Sequence, residues 1–269
     1  MSKIIILGAT GMLGSQVFKV LNSNKNHEVI YTTRDKINKK EGIFFDATSY
    51  DYSFSKFENV DYIINCIGVT KPFIDKNYVD SLFVNSIFPH KIAQFCNFNN
   101  IKLIHITTDC VFSGREGRYK ENSLHDCTDF YGKSKSLGES INCMNIRTSI
   151  IGLELTNFVH LLSWAISQKG KTINGFENHL WNGVTTNNLS IILEKIIEEN
   201  LYEKKTFHIH SPEDINKYEL LKLINKKFSL NLNINKIQAT DLVNRTLRSN
   251  FDLSSNISNS SIEDQINDI

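Results

Sequence analysis

Apolar positions in the first half of the chain fall into short unbroken runs separated by longer amphipathic stretches. Residues 3–7 form a β-branched run, GATGMLG follows, and a helical pattern then passes through Val17 and Leu21. A second run at 27–33 completes a strand–helix–strand unit. The alternation continues with GIFFDAT at 42–48, VDYIINCIG at 60–68, a helical segment through NSIFPHKIAQFCNFNN, and IKLIHITT at 101–108, and MNIRTSI at 144–150 reads as a sixth strand. Short apolar strands alternating with helices predict an α/β fold of the Rossmann type, a doubly wound parallel sheet covered on both faces.

Beyond residue 150 the helical stretches lengthen: NFVHLLSWAISQ, NNLSIILEKIIEEN and INKYELLKLINKKF, with KTFHIH as a strand between the last two. This half is expected to form a smaller C-terminal α/β substrate lobe. The division is 1–150 for a dinucleotide-binding domain and 151–269 for the lobe. The boundary is soft and interleaved, because no Gly/Ser/Pro linker marks it. The polar ending SSNISNSSIEDQINDI predicts a loosely held tail.

Composition narrows the function. With 269 residues, 41% hydrophobic and 22% charged, the chain can bury a large core. A net charge of +1 supplies no basic field for nucleic acid, so a small ligand is favoured. Cys66, Cys96, Cys110, Cys127 and Cys143 form no C-x-x-C pair and read as reduced thiols. The N-terminal apolar run meets glycine too soon for a signal-peptide core, and no stretch approaches a membrane span, so a cytoplasmic location is expected.

Gly8, Gly11 and Gly14 follow a strand and open a helix, the setting in which this spacing binds a dinucleotide. The first permits the turn, the second lets backbone approach a pyrophosphate, and the third lets helix and strand pack closely. Thr10, Met12 and Leu13 fill the loop and count with the glycines as cofactor contacts. The second strand ends in YTTRD. Arg34, preceded by Thr32 and Thr33, favours the 2′-phosphate of NADPH, whereas Asp35 in its place would favour NADH.

Tyr131 and Lys135 stand four residues apart, on one face of a helix. An ammonium there would stabilise phenolate and draw the tyrosine pKa down from about 10, as proton transfer near neutral pH requires. With GATGMLG, INCIG, VNSIFPHKIA, TTDCVFSG, YGKSKSLGE and IRTSIIG, the chain resembles the extended short-chain dehydrogenase/reductase superfamily. Within it, the chain is similar to the dTDP-4-dehydrorhamnose reductase branch. The match is good over 1–150; NFVHLLSW and LWNGVTT support it more weakly beyond.

That resemblance implies Thr108 as the hydroxyl on the substrate carbonyl, with Thr107 as the neighbour able to exchange roles. Tyr131 would be the general acid, and Lys135 would hold the nicotinamide ribose and tune the tyrosine. It places Asp46 and Ala47 at the adenine and Cys66, Ile67 and Gly68 along the cofactor, and it makes Asn85 a support of the active site. Thr70, Asp109, Asn157, Trp181, Thr186 and Arg248 become substrate candidates, with Phe158, Gly183 and Arg245 beside them. The implied reaction reduces the 4-keto group of a nucleotide-linked 4-keto-6-deoxy sugar, with a homodimer as the assembly the resemblance allows.

Dehydratases of the superfamily carry Asp-Glu after the threonine, whereas here Asp109 is followed by Cys110, which argues for reduction. An epimerase or dehydratase that retains NAD, and a catalytically silent dinucleotide-binding subunit, are the alternatives. His208 and His210 alternate on a strand without further ligands at metal spacing and are read as structural, so no metal site is expected. Trp164 and the adjoining leucines fit an apolar helix stripe.

Overall fold

Ile4, Ile5, Ile6 and Leu7 have no exposed surface, which places β1 (Ser2–Leu7) at the centre of a sheet. The computed structural model describes residues 1–34, 42–49 and 53–269. After the helix α1 (Met12–Ser23), the chain forms β2 (His27–Thr33), β3 (Ile43–Phe44), β4 (Tyr62–Asn65), β5 (Lys102–Thr108) and β6 (Met144–Thr148). These pair in parallel in the order β6-β5-β4-β1-β2-β3, and Thr206–His208 adds a seventh strand outside β6. The order reverses between β1 and β4. In an open α/β sheet a ligand binds at the carboxyl ends of the strands at such a reversal.

Alternate residues of each strand feed two cores, because successive side chains point to opposite faces. One core joins Ile4, Ile6, Ile104 and Ile146 to α1 and to the helix Thr186–Glu198. The other joins Ile5, Leu7, Ile63 and Leu103 to Phe57, Phe88 and Ile92. Residues from both sides of position 150 share the first of these cores. The strand anticipated in the C-terminal lobe instead closes the main sheet, where Phe207 buries in the same core as Ile146.

The smaller lobe has a separate core of Leu162, Trp181, Leu220, Ile224, Ile262 and Ile266. It carries two small sheets: Thr172–Phe176 with Asn233–Ile237, and His179–Trp181 between Ile215–Asn216 and Val243–Asn244. The loose tail is not observed. Leu253–Ile257 and Ile262–Asn267 are helices, and Gln265 is buried, accepting from Thr185 N and donating to Ser211 Oγ. Two isoleucines spaced one turn apart anchor a segment whose composition is otherwise polar. Among the described residues no helix is long and apolar enough to cross a membrane.

Candidate active site

Gly8 leaves β1 with φ of +80°, and at Gly14 an added Cβ would lie 2.2 Å from the Gly8 carbonyl oxygen. These are the positive-φ turn and the close helix–strand approach expected of the loop. Thr32 Oγ1 accepts from Gly8 N at 3.1 Å, tying the loop to the end of β2. Gly11 is the N-cap of α1 and provides no side-chain cap, so the first N–H groups of a 12-residue helix stay open for an anion. Thr10 and Gly11 are exposed, Met12 is half-buried and Leu13 turns into the core. Arg34 is exposed directly after β2, and Asp35 lies outside the described residues. Asp46 Oδ1 accepts from Thr48 N and Thr48 Oγ1 in a turn, and Ala47 packs into the core beneath. A dinucleotide fits this cradle: an uncapped helix N-terminus for its pyrophosphate and an exposed guanidinium at the second strand's end.

The exit of β4 forms the next wall. Asn65 Oδ1 accepts from Ile67 N, while Asn65 Nδ2 donates to His105 Nδ1 at 3.1 Å. His105 is fully buried and, among the described residues, its Nε2 has no hydrogen-bond partner; burial, then Lys135, holds its pKa well below the usual value, so the ring is neutral. Cys66 is a thiol pushed up to about 12 by burial. Asn85 sits inside a π-helical turn, Phe83–Ile87, rather than at a helix start. Its amide clasps both backbone groups of Val69, at 2.8 and 2.9 Å, and donates to Ser134 Oγ at 3.1 Å. Both donor hydrogens are thereby used, and Asn85 holds Gly68 and the tyrosine helix in place rather than reaching toward a ligand.

The two threonines that end β5 have different partners. Thr107 Oγ1 donates to Glu139 Oε1, and Glu139 is gripped by Arg147 through Nε at 2.9 Å and Nη2 at 2.6 Å. Arg147 Nη1 donates to His208 Nε2 at 2.8 Å, and His208 Nδ1 donates to the Arg248 carbonyl. Burial and then Arg147 lower His208 to about 4, so His208 is a neutral structural ring, as its strand position predicts. Thr108 instead faces the cleft. Its Oγ1 donates to Asp109 Oδ1 at 3.2 Å and accepts from Cys110 N, and its side chain neighbours Tyr131.

Tyr131 occupies the first turn of the helix Phe130–Leu137, whose N-cap Asp129 accepts from Gly132 N at 2.9 Å and pairs with Lys71 at 3.1 Å. Lys135 is buried, lies against Gly68 and donates from Nζ to the Ile106 carbonyl at 3.0 Å. The expected lowering of the tyrosine pKa is not observed: burial, then Cys110, pushes the phenol above its usual value. Burial instead lowers Lys135, to about 8. Desolvation penalises the charged form of both groups and is the largest influence on each. Cys110, pushed up to about 12 by burial and then Asp109, stays a neutral thiol where a dehydratase would carry glutamate.

The C-terminal wall differs most from expectation. Arg248 is held by Asp214 in a bidentate pair, at 2.9 and 2.7 Å. Trp181 donates from Nε1 to Ser149 Oγ and packs in the lobe core, and Thr186 is buried under Gly152. Asn157 and Phe158 are exposed, with φ of 71° and 51°, on the loop that ends at His160. The charges that do reach Asp109 come from Arg245 and from Lys217, a residue the sequence reading passed over. Lys217 opens the helix Lys217–Phe228 and stands 5.3 Å from the Trp181 ring centroid. A cation in a first helical turn opposes the macrodipole, which is the one local signal that marked it. Thr70 is tied in through His160, whose Nδ1 is hydrogen-bonded to buried Glu154 at 2.7 Å and whose Nε2 is hydrogen-bonded to Thr70 Oγ1 at 3.2 Å.

A Rossmann sheet whose carboxyl edge joins a glycine loop to a Thr108–Tyr131–Lys135 set defines an NAD(P)-dependent oxidoreductase of the short-chain dehydrogenase/reductase type. The chain belongs to the RmlD substrate binding domain family, which matches residues 2–267. It is 24% identical over 261 residues to the spore coat polysaccharide biosynthesis protein SpsK of Bacillus subtilis, covering 92% of this chain and 87% of that one. Its fold is similar to a dTDP-4-dehydrorhamnose reductase from Clostridium acetobutylicum, with a TM-score of 0.81 and 22% identity over 99% of this chain and 97% of the other. It is also similar to the Bacillus anthracis dTDP-4-dehydrorhamnose reductase in complex with NADP, with a TM-score of 0.80 and 22% identity over 99% and 98% of the two chains.

Proposed function

We propose that this protein uses NADPH to reduce the 4-keto group of a nucleotide-linked 4-keto-6-deoxy sugar for polysaccharide biosynthesis. The observation that carries the reading is the placing of Thr108, the last residue of β5, next to Tyr131 in the first turn of its helix and to buried Lys135, whose Nζ donates to the Ile106 carbonyl of the same strand. A reductase needs its tyrosine protonated before the reaction, and burial keeps Tyr131 so. An alkoxide is a stronger base than a phenolate, so the proton passes from Tyr131 as negative charge develops on the former carbonyl oxygen. Thr108, held in place by Cys110 N, supplies the second hydrogen bond to that oxygen. The bound dinucleotide supplies the hydride.

Gly8 to Gly14 and Arg34 would hold its phosphates, and Lys135 its ribose. Lys217 and Arg245 set two cations against the single carboxylate of Asp109, a balance suited to the diphosphate of a nucleotide sugar. The similarity to the NADP complex and to a polysaccharide biosynthesis protein supports the same reading.

NADPH oxidation, followed across a panel of nucleotide 4-keto-6-deoxy sugars, should appear with at least one of them. Tyr131→Phe should lose about 10²–10⁴-fold in rate, the worth of a general acid, while keeping its NADPH affinity. An unchanged rate in that variant would sink the mechanism. Product formed without net NADPH consumption would identify an epimerase instead.

A further inference from the structure

The helix Thr186–Glu198 packs beside α1 and ends against the turn that leads into β2. Its Glu194 and Glu198 stand one turn apart on a shared face, an arrangement of like charges that repel. Among the described residues neither is ion-paired with a lysine or arginine. Both Oε1 atoms instead accept from one amide, Asn24 Nδ2, at 3.0 and 2.7 Å. His27, the first residue of β2, faces the same carboxylates. Its side chain is only 3% exposed and its Nε2 lies 3.9 Å from Glu198 Oε1, beyond hydrogen-bond reach. Among the described residues neither ring nitrogen has a hydrogen-bond partner, although both are buried. A buried imidazole left unmet on both sides thus stands against two carboxylates, a donor set suited to a metal cation.

We propose that His27, Glu194 and Glu198 bind a divalent transition-metal ion of the zinc and cobalt class, which fastens the helix to the start of β2. One ligand atom from each residue lies within 4.8 Å of the other two. Bonds of about 2.0–2.2 Å to nitrogen and oxygen would draw these atoms inward by small side-chain movements, with water completing the shell. Two carboxylates balance a divalent charge. The imidazole selects against magnesium and calcium, which prefer all-oxygen shells. The site lies at the amino end of β2, whereas Thr108 ends β5 at the opposite, carboxyl edge of the sheet. The ion therefore serves structure and takes no part in reduction.

The test uses the full chain, stripped with a chelator and then given Zn²⁺, Co²⁺ or Mg²⁺. One Zn²⁺ or Co²⁺ should bind per chain, and at a hundredfold excess over Kd the Tm should rise by roughly 5–10 °C. Mg²⁺ should give no shift. The Glu194→Gln/Glu198→Gln double variant should lose both the stoichiometric binding and the Tm shift while keeping the metal-free Tm. Asn24→Asp, which adds a carboxylate, should bind Co²⁺ more tightly. Absence of stoichiometric binding, or a Tm shift that persists in the double variant, overturns the proposal.

Discussion

Thr107 and Thr108 are adjacent and chemically identical, yet their hydroxyls belong to different systems. Thr107 feeds the Glu139–Arg147–His208 chain, and Thr108 faces Asp109 and Tyr131. Thr108→Val should cost about 10²–10³ in kcat, the usual effect of removing one donor to a developing oxyanion. Thr107→Val should leave kcat nearly intact and destabilise by about 1 kcal/mol, read from denaturant midpoints, because Glu139 loses one of several partners. Steady-state rates for the pair separate the two roles. Lys135 adds a pH dependence. Its folded pKa of about 8 lies below the ordinary lysine value, so its charge is complete below 8 and lost as pH rises through it. NADPH affinity measured by fluorescence titration should weaken across that value, and Lys135→Met should abolish the dependence. Folding responds with the opposite sign. Between about 8 and the ordinary value of 10.5 the unfolded chain holds a proton that the folded chain does not, so this group's contribution to stability increases with pH there.

At the scale of elements, the site depends on loops that cross-brace one another. The π turn Phe83–Ile87 lets Asn85 hold both Val69 and the tyrosine helix, and Ser86 Oγ donates to the Ser134 carbonyl at 2.7 Å. Across the cleft, Thr70, His160 and Glu154 link the segment after β4 to the loop before the helix Leu161–Ser167. Burial alone would raise Glu154, but bonds from His160 bring its pKa below the usual carboxylate value. His160→Ala should raise the sugar KM by roughly tenfold, the worth of one hydrogen bond, with little change in NADPH affinity. Thr70→Val should do the same, and the double variant should cost less than the two single effects combined, since both break one link. A sugar KM unmoved by either substitution would show that the link does not organise the pocket. The glycine turn and the Tyr131–Lys135 spacing were legible because each depends on residues within one or two helical turns. The His160 link was not, because its partners come from separate parts of the chain.

For the whole molecule, the final helix tests how far the C-terminal lobe depends on its tail. Ile266 is 1% exposed in the lobe core, so Ile266→Ala should cost about 2–5 kcal/mol in denaturant unfolding. A change near zero would indicate the loose tail that composition alone suggests. The run of apolar strands and intervening helices determined a parallel sheet, since strands buried on both faces can be written in no other register of hydrophobicity. The glycine spacing determined a dinucleotide cradle, and the helical period placed Tyr131 and Lys135 on one face. Tertiary structure decided what local pattern cannot encode. It closed the sheet with Thr206–His208, gave Arg248 to Asp214, and brought Lys217 to Asp109. It also set the electrostatics of the site, because burial, which the position of a residue in sequence does not state, is the largest influence on Tyr131 and raises its pKa.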